Sequence, residues 1–452
     1  MQRCQEVTTQ LSVIRGLCSR AMLTVLVCLS TLLTTIETPL AATRTAASCS
    51  RADVGDAVNQ ANNGDTVLIP AGHCIWTTNL KITAKYFTLQ GAGIDKTIIV
   101  DGVNKAGYPN IPQVIWWVSI EGGLSRLSGI TFQGGTVIDG NNKGIVTFEG
   151  VSHSFRIDHN KFIPTQTAGL IIRGDHWGVI DHNIFNMSAQ KGYGIYVHGE
   201  GYGDKAWSEE STLGTERNVF IEDNFFTQDR TKGFYYEAID GWTGHRIVVR
   251  HNHFDALKVA NHGTETSGRP RSARQFEYYN NTWTWDMYSS ATPDAKRNGY
   301  PALIAIRGGT GVIFNNTATV TNGSVPNVAD FNYLRANQSY YAWGECPNGW
   351  DLSPSRCIDQ PGVGQGKLLS GPAPSPMGWP QQTNDPIYVW NNRINNEVAR
   401  AVSRVPSVVQ AGRDFIHEPK PDYTPYTYPH PLVVDRSADS AKPAVPSSLS
   451  IR

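Results

Sequence analysis

GIVTFEGVSHSFRIDHNKF (Gly144–Phe162) is followed, after a short loop, by GLIIRGDHWGVIDHNIF (Gly169–Phe185). Each copy is a strand ending in a polar residue and a glycine, a turn, and a second strand ending in Asp-His-Asn-x-Phe. Self-similarity at this short period predicts a solenoid, in which each repeat buries its apolar side only against its neighbours.

The cadence extends in both directions. Gly122, Gly150, Gly174, Gly199, Gly241, Gly263 and Gly308 each close a first strand. Because strand side chains alternate between faces, the polar residue before each glycine is expected to point outward. That predicts one column of Glu121, Glu149, Arg173, His198, Asp240, His262 and Arg307, its members about 4.8 Å apart. A second ruler is Asn160, Asn183, Asn224, Asn252, Asn281 and Asn316, with Phe162, Phe185, Phe226, Phe254 and Trp283 two residues later. The aromatics are expected to stack inside. The asparagines are expected to form a ladder at a tight turn, where Asn tolerates left-handed backbone.

An asparagine ladder, an internal aromatic stack and three short strands per coil resemble the right-handed parallel β-helix of the pectin-lyase-like superfamily, over roughly Cys49 to Asn392. The resemblance implies an all-β solenoid. For activity it leaves lyases, hydrolases, epimerases and non-enzymatic adhesins open, because this fold carries all of them.

A solenoid grows by adding coils, so 452 residues need not mean several domains. The 39 basic residues balance the 39 acidic ones, which argues against nucleic acid as a partner. Arg15 and Arg20, the apolar run Ala21 to Leu33 and the small residues Ala41, Ala42, Ala46 and Ala47 read as a secretory signal, too short to span a membrane. The expected layout is a signal over 1–42, the β-helix over 43–395, and an extended strip with a disordered tail over 396–452. The mature protein is expected to be secreted, extracellular or periplasmic, and monomeric, with no integral membrane segment.

Removal of the signal leaves Cys49, Cys74, Cys346 and Cys357. Their grouping suggests one bridge near the N-terminus and one in a C-terminal loop, with other pairings open. Asp53 to Asn63 has helical spacing, with Val54, Ala57, Val58 and Ala61 on one face, as expected of a helix covering the open end.

Two loops swell. One lies between Gly199 and Asn218; the other, after His262, carries Glu265, Arg269, Arg271 and Arg274. Clustered guanidiniums repel unless they meet carboxylates, either in an ion network or on an acidic ligand. β-Elimination on a uronic-acid glycan needs a base, neutralisation of the sugar carboxylate and a proton donor. His262, Arg271, Arg307 and Arg173 are the candidate catalytic residues, His262 the preferred base or acid because imidazole titrates near neutrality. His198, Asp240, Glu265, Arg269 and Arg274 are the candidate substrate contacts. The resemblance implies calcium as a cofactor, with Glu149, Asp204 and Asp240 as candidate ligands, although no calcium-loop pattern is present. An acidic polysaccharide is the expected partner. A hydrolase using Asp240 and Glu265, an epimerase and a glycan-binding adhesin are the alternatives.

Overall fold

The structure, a computed structural model, describes residues 41–104, 113–135, 144–165, 168–187, 193–199, 204–228, 237–263, 271–286, 302–331, 359–366, 382–406 and 408–434. All but the last two residues of the proposed signal, together with Glu265, Arg269, Cys346 and Cys357, lie outside them.

The chain winds into a parallel β-helix with three faces. Where two faces meet, the backbone turns without leaving the strand: Val146–Asp158 and Ala168–Asp181 each run through the first and second faces. The two strands pair in parallel from Val146↔Leu170 to Asp158↔Asp181, so the repeat seen in the sequence is the repeat of the coil. Gly150 and Gly174 face each other at the corner with φ of 110° and 117°. A Cβ on Gly174 would stand 2.1 Å from the carbonyl oxygen of Gly150, so the corner admits only glycine there. Short strands such as Lys161–Ile163 and Ile184–Asn186 form the third face.

The asparagine ladder holds the corner between the second and third faces. Nδ2 of Asn160 donates to Asn183 at 3.1 Å, and the relay continues through Asn224, Asn252, Asn281 and Asn316 to Asn392 at 2.9–3.1 Å. All seven amides are buried. The left-handed residue is not the ladder asparagine, however, but the one before it. His159, His182, Asp223, His251, Asn280, Asn315 and Asn391 have φ between 51° and 56°. The ladder amide must stay inside to meet its neighbours, so the preceding residue makes the turn and points out. Polar side chains that bond locally suit that conformation.

Inside, Phe132, Phe162, Phe185, Phe226, Phe254 and Trp283 stack with centroids 4.7–5.3 Å apart. Each contact contributes about 0.5–1.5 kcal/mol beyond its area burial. Helix α1 (Arg51–Gln60) starts at Ser50, whose hydroxyl accepts from Asp53 N. Its buried Val54, Ala57 and Val58 join the same core. The Lys85 ammonium donates to the carbonyls of Val58, Asn59 and Ala61, opposing the negative end of the helix. Cys49 and Cys74 form a disulfide beside it.

After the last coils the chain doubles back along the outside of the second face. Tyr423 donates to Glu277, Arg250 donates to the carbonyls of Tyr426 and Thr427, and His430 N donates to Glu222. This strip covers an outer apolar patch of Val179, Phe220, Val248, Tyr279, Val312 and Phe314. Among the described residues no helix is long and apolar enough to cross a membrane.

Candidate functional site

The register of the first face places the polar column. Glu149 pairs with Arg173, Arg173 with His198, and His198 with Trp242. The next strand brings His262 against the Trp242 ring at 5.3 Å, and the pairing Asn261↔Ile306 sets Arg307 beside it. Five of the seven expected members therefore align. Asp240 does not. It pairs with Tyr196, because the corner here is made by Thr243 and Gly244 (φ 45° and 75°), two residues later than the glycine ruler required. Trp242 takes the place in the column. Glu121 also falls outside it: Ser119 already pairs with Gly150, so Glu121 lies past the corner, 3.3 Å from His153 Nδ1.

The slip gives Asp240 a different role. Its carboxylate is fully buried, and both oxygens are engaged: Oδ1 accepts from His262 Nδ1 at 2.7 Å, Oδ2 from Trp242 Nε1 at 2.6 Å. A carboxylate on Nδ1 fixes the tautomer that leaves Nε2 as a proton acceptor, and it stabilises the imidazolium once the proton is taken. The His262 side chain keeps 13% of its surface, whereas that of Asp240 keeps none. Buried Asn261, which replaces the inward aliphatic expected there, steadies the neighbouring strand: its Oδ1 accepts from Arg307 N at 2.9 Å. Farther along the column Arg173 is half-exposed and 3.8 Å from Glu149, which accepts from Trp116 Nε1. His198 packs on Trp242 at 4.5 Å.

The arginine-rich loop reads differently in three dimensions. Arg271 is buried and makes a two-pronged pair with Asp359, Nε to Oδ2 at 2.7 Å and Nη2 to Oδ1 at 2.9 Å. Arg274 is buried too, donating to the carbonyls of Ala206 and Glu209 beside Trp207. Neither guanidinium is available to a substrate, so the catalytic assignment of Arg271 and the binding assignment of Arg274 are withdrawn. They pin the loop instead.

The carboxylates proposed for calcium are not gathered. Glu149 and Asp240 stand three strands apart, about 14 Å at the strand spacing. Each is engaged elsewhere, and the side chain of Asp204 lies outside the described set. No group of three or more candidate ligands occurs among the described residues.

Sequence reasoning passed over Lys258. It is buried on the strand leading to His262, and burial lowers its ammonium to about 8, with Asp330 and Glu237 opposing the shift. A Lys opening a short strand whose next two residues are apolar was the available signal. Two residues before His262 and Arg307, the register lines up Ala260 and Ala305 between Asp240 and Asp330. The two carboxylates are thus also about 14 Å apart, beyond the range of about 5–9.5 Å used by paired hydrolase carboxylates.

No protein-family profile matches the chain, and no curated protein does. Solved structures that are similar include the following two. ORF18 of Geobacillus virus E2 matches 62% of this chain at 14% identity with a TM-score of 0.38, and the chain spans about half of that protein, 51%. An alginate lyase from Paenibacillus sp. str. FPU-7 matches over 80% of this chain and 98% of its own length, at 11% identity and a TM-score of 0.34. Neither likeness bears on the chemistry.

Proposed function

We propose that the first face is a catalytic surface for an acidic polysaccharide, and that the reaction is β-elimination next to a uronic-acid carboxylate. The observation that carries this reading is the Asp240–His262 pair, flanked in register by Arg307 and braced by Trp242. His262 Nε2 takes the proton beside the carboxylate, and Arg307 neutralises that carboxylate so that the carbanion-like charge can develop. Arg173 binds a more distant acidic sugar. The C4–O bond then breaks, and the leaving oxygen collects a proton from solvent or from the imidazolium. An epimerase shares the proton abstraction but returns the proton to the opposite face. The disulfide favours an oxidising compartment, in keeping with an exported protein.

The test is incubation with alginate, pectate and glycosaminoglycans while following absorbance from a new C4–C5 double bond. Turnover lost in His262→Asn, whose amide can still donate to Asp240, with thermal unfolding unchanged is the expected result. Reducing ends without that absorbance would mean hydrolysis, and binding without either product would mean a glycan-binding surface. Each of those outcomes overturns the lyase reading.

A further inference from the structure

Where the first face turns into the second, between the coils of Gly174–Trp177 and Gly244–Arg246, lies a concavity of about 40 Å³. It holds a few atoms, not a sugar ring. Its walls include His176, Arg217, His245 and Arg246.

Two of these side chains share a second property: Arg217 Nε and Arg246 Nε are buried without a hydrogen-bond partner, while the His176 and His245 rings lie against the backbone of Gly174 and Trp242. Leaving such groups unmet costs about 1–3 kcal/mol each, so their gathering around one small space calls for a ligand. The rest of each side chain is held: Glu209 accepts from Arg246 Nη2 at 2.8 Å and from Arg217 Nη2 at 3.5 Å, and His176 Nε2 lies 3.1 Å from Ser119 Oγ. His245 is 1% exposed. Burial lowers both imidazoles to about 3, so each is neutral near pH 7 and carries one N–H.

The ligand's chemistry follows from the donors. Guanidinium Nε–H only donates, so the two arginines favour an acceptor-rich guest over one that must also donate. Charge agrees. Lys205, Arg217 and Arg246 face Asp175 and Glu209 at the pocket, three cations against two carboxylates.

We propose that this corner pocket binds one small oxyanion group, either a free inorganic anion or the carboxylate of an acidic sugar. The site is separate from the Asp240–His262 pair and does not depend on turnover.

Isothermal titration of the protein with sodium sulfate, and separately with sodium glucuronate, at ionic strength held constant with chloride, tests it. Saturable one-site binding is expected. It should weaken at least about tenfold in Arg246→Lys, which keeps the charge facing Glu209 but lacks the Nε donor. The half-exposed Arg217→Lys provides a second variant whose folding is not at risk. Sulfate binding alone identifies a free-anion site, and glucuronate binding identifies a sugar-carboxylate site; either supports the proposal. If neither anion binds saturably, or both variants bind as tightly as the parent, water meets these donors and the proposal is wrong.

Discussion

Replacing Asp240 by Asn removes one charge and one acceptor while keeping the shape. The two oxygens of Asp240 accept from His262 Nδ1 at 2.7 Å and from Trp242 Nε1 at 2.6 Å, and the carboxylate is fully buried. An amide has one oxygen. If it stays on His262, its NH2 confronts the indole N–H, donor against donor, and Trp242 must shift. If the amide flips, His262 Nδ1 has to become the acceptor, the proton moves to Nε2, and the base is lost. Either way a charge-assisted hydrogen bond of about 1.5–3 kcal/mol disappears from the state in which the imidazole carries the abstracted proton. At 1.36 kcal/mol per factor of ten, turnover should fall about 10- to 150-fold. The assay is the initial rate of unsaturated-end formation on whichever acidic glycan is cleaved, with kcat and KM separated. The loss should sit in kcat, because Asp240 acts through His262. A kcat within twofold of the parent, in a variant that still folds, would refute the assignment of His262 as a base oriented by Asp240.

Other outcomes follow from the same structure. Asn224→Ala deletes a residue that donates to the carbonyls of Ile180 and Glu222 and to Asn252, and accepts from Asn183 N and Nδ2. With backbone groups left buried and unmet, urea unfolding should show a loss of about 3–5 kcal/mol; a loss under about 1 kcal/mol would mean that the ladder is ornamental. Arg271→Ala should destabilise by about 3–5 kcal/mol through the stranded Asp359 carboxylate, whereas His262→Asn, whose amide NH2 can still donate to Asp240, leaves unfolding nearly unchanged; similar melting for the two would contradict the assigned roles. Burial raises Glu277 from 4.5 to about 7. The folded state then holds the proton more tightly than the unfolded one, so this group's contribution is full below about pH 4.5 and is lost as pH rises through 7, about 3 kcal/mol in all. Glu277→Gln should lack that part of the slope when unfolding free energy is measured from pH 4.5 to 8; an unchanged slope would rule it out.

The sequence carried the coil because the coil is written locally. Asn and Phe at fixed spacing report a turn and an inward position, and both recur where expected. The column was legible where the corner kept its length, as at Glu149, Arg173 and His198. It failed at Asp240, because Thr243-Gly244 turns as well as a lone glycine and nothing nearby marks the longer strand. That failure concealed the most informative contact, since a residue slipped back by one pair along the strand is what meets His262 Nδ1. Partners far along the chain were not legible at all. Arg271 meets Asp359 across 88 residues, and no local pattern separates that pairing from three cations awaiting a substrate. Lys258 was hidden for a related reason: its environment comes from Glu237 and Asp330 on other strands.

The returning strip has a mechanical consequence. A stack whose layers touch only the next layer can fray from either end, one turn at a time. Here Lys420 sits over Tyr388, Tyr423 meets Glu277, and His430 reaches Glu222, so a single run of backbone is fastened to layers far apart in the winding. Peeling the last turns away first requires unfastening a brace anchored near the middle, which ties the rigidity of the first face to residues that never approach it.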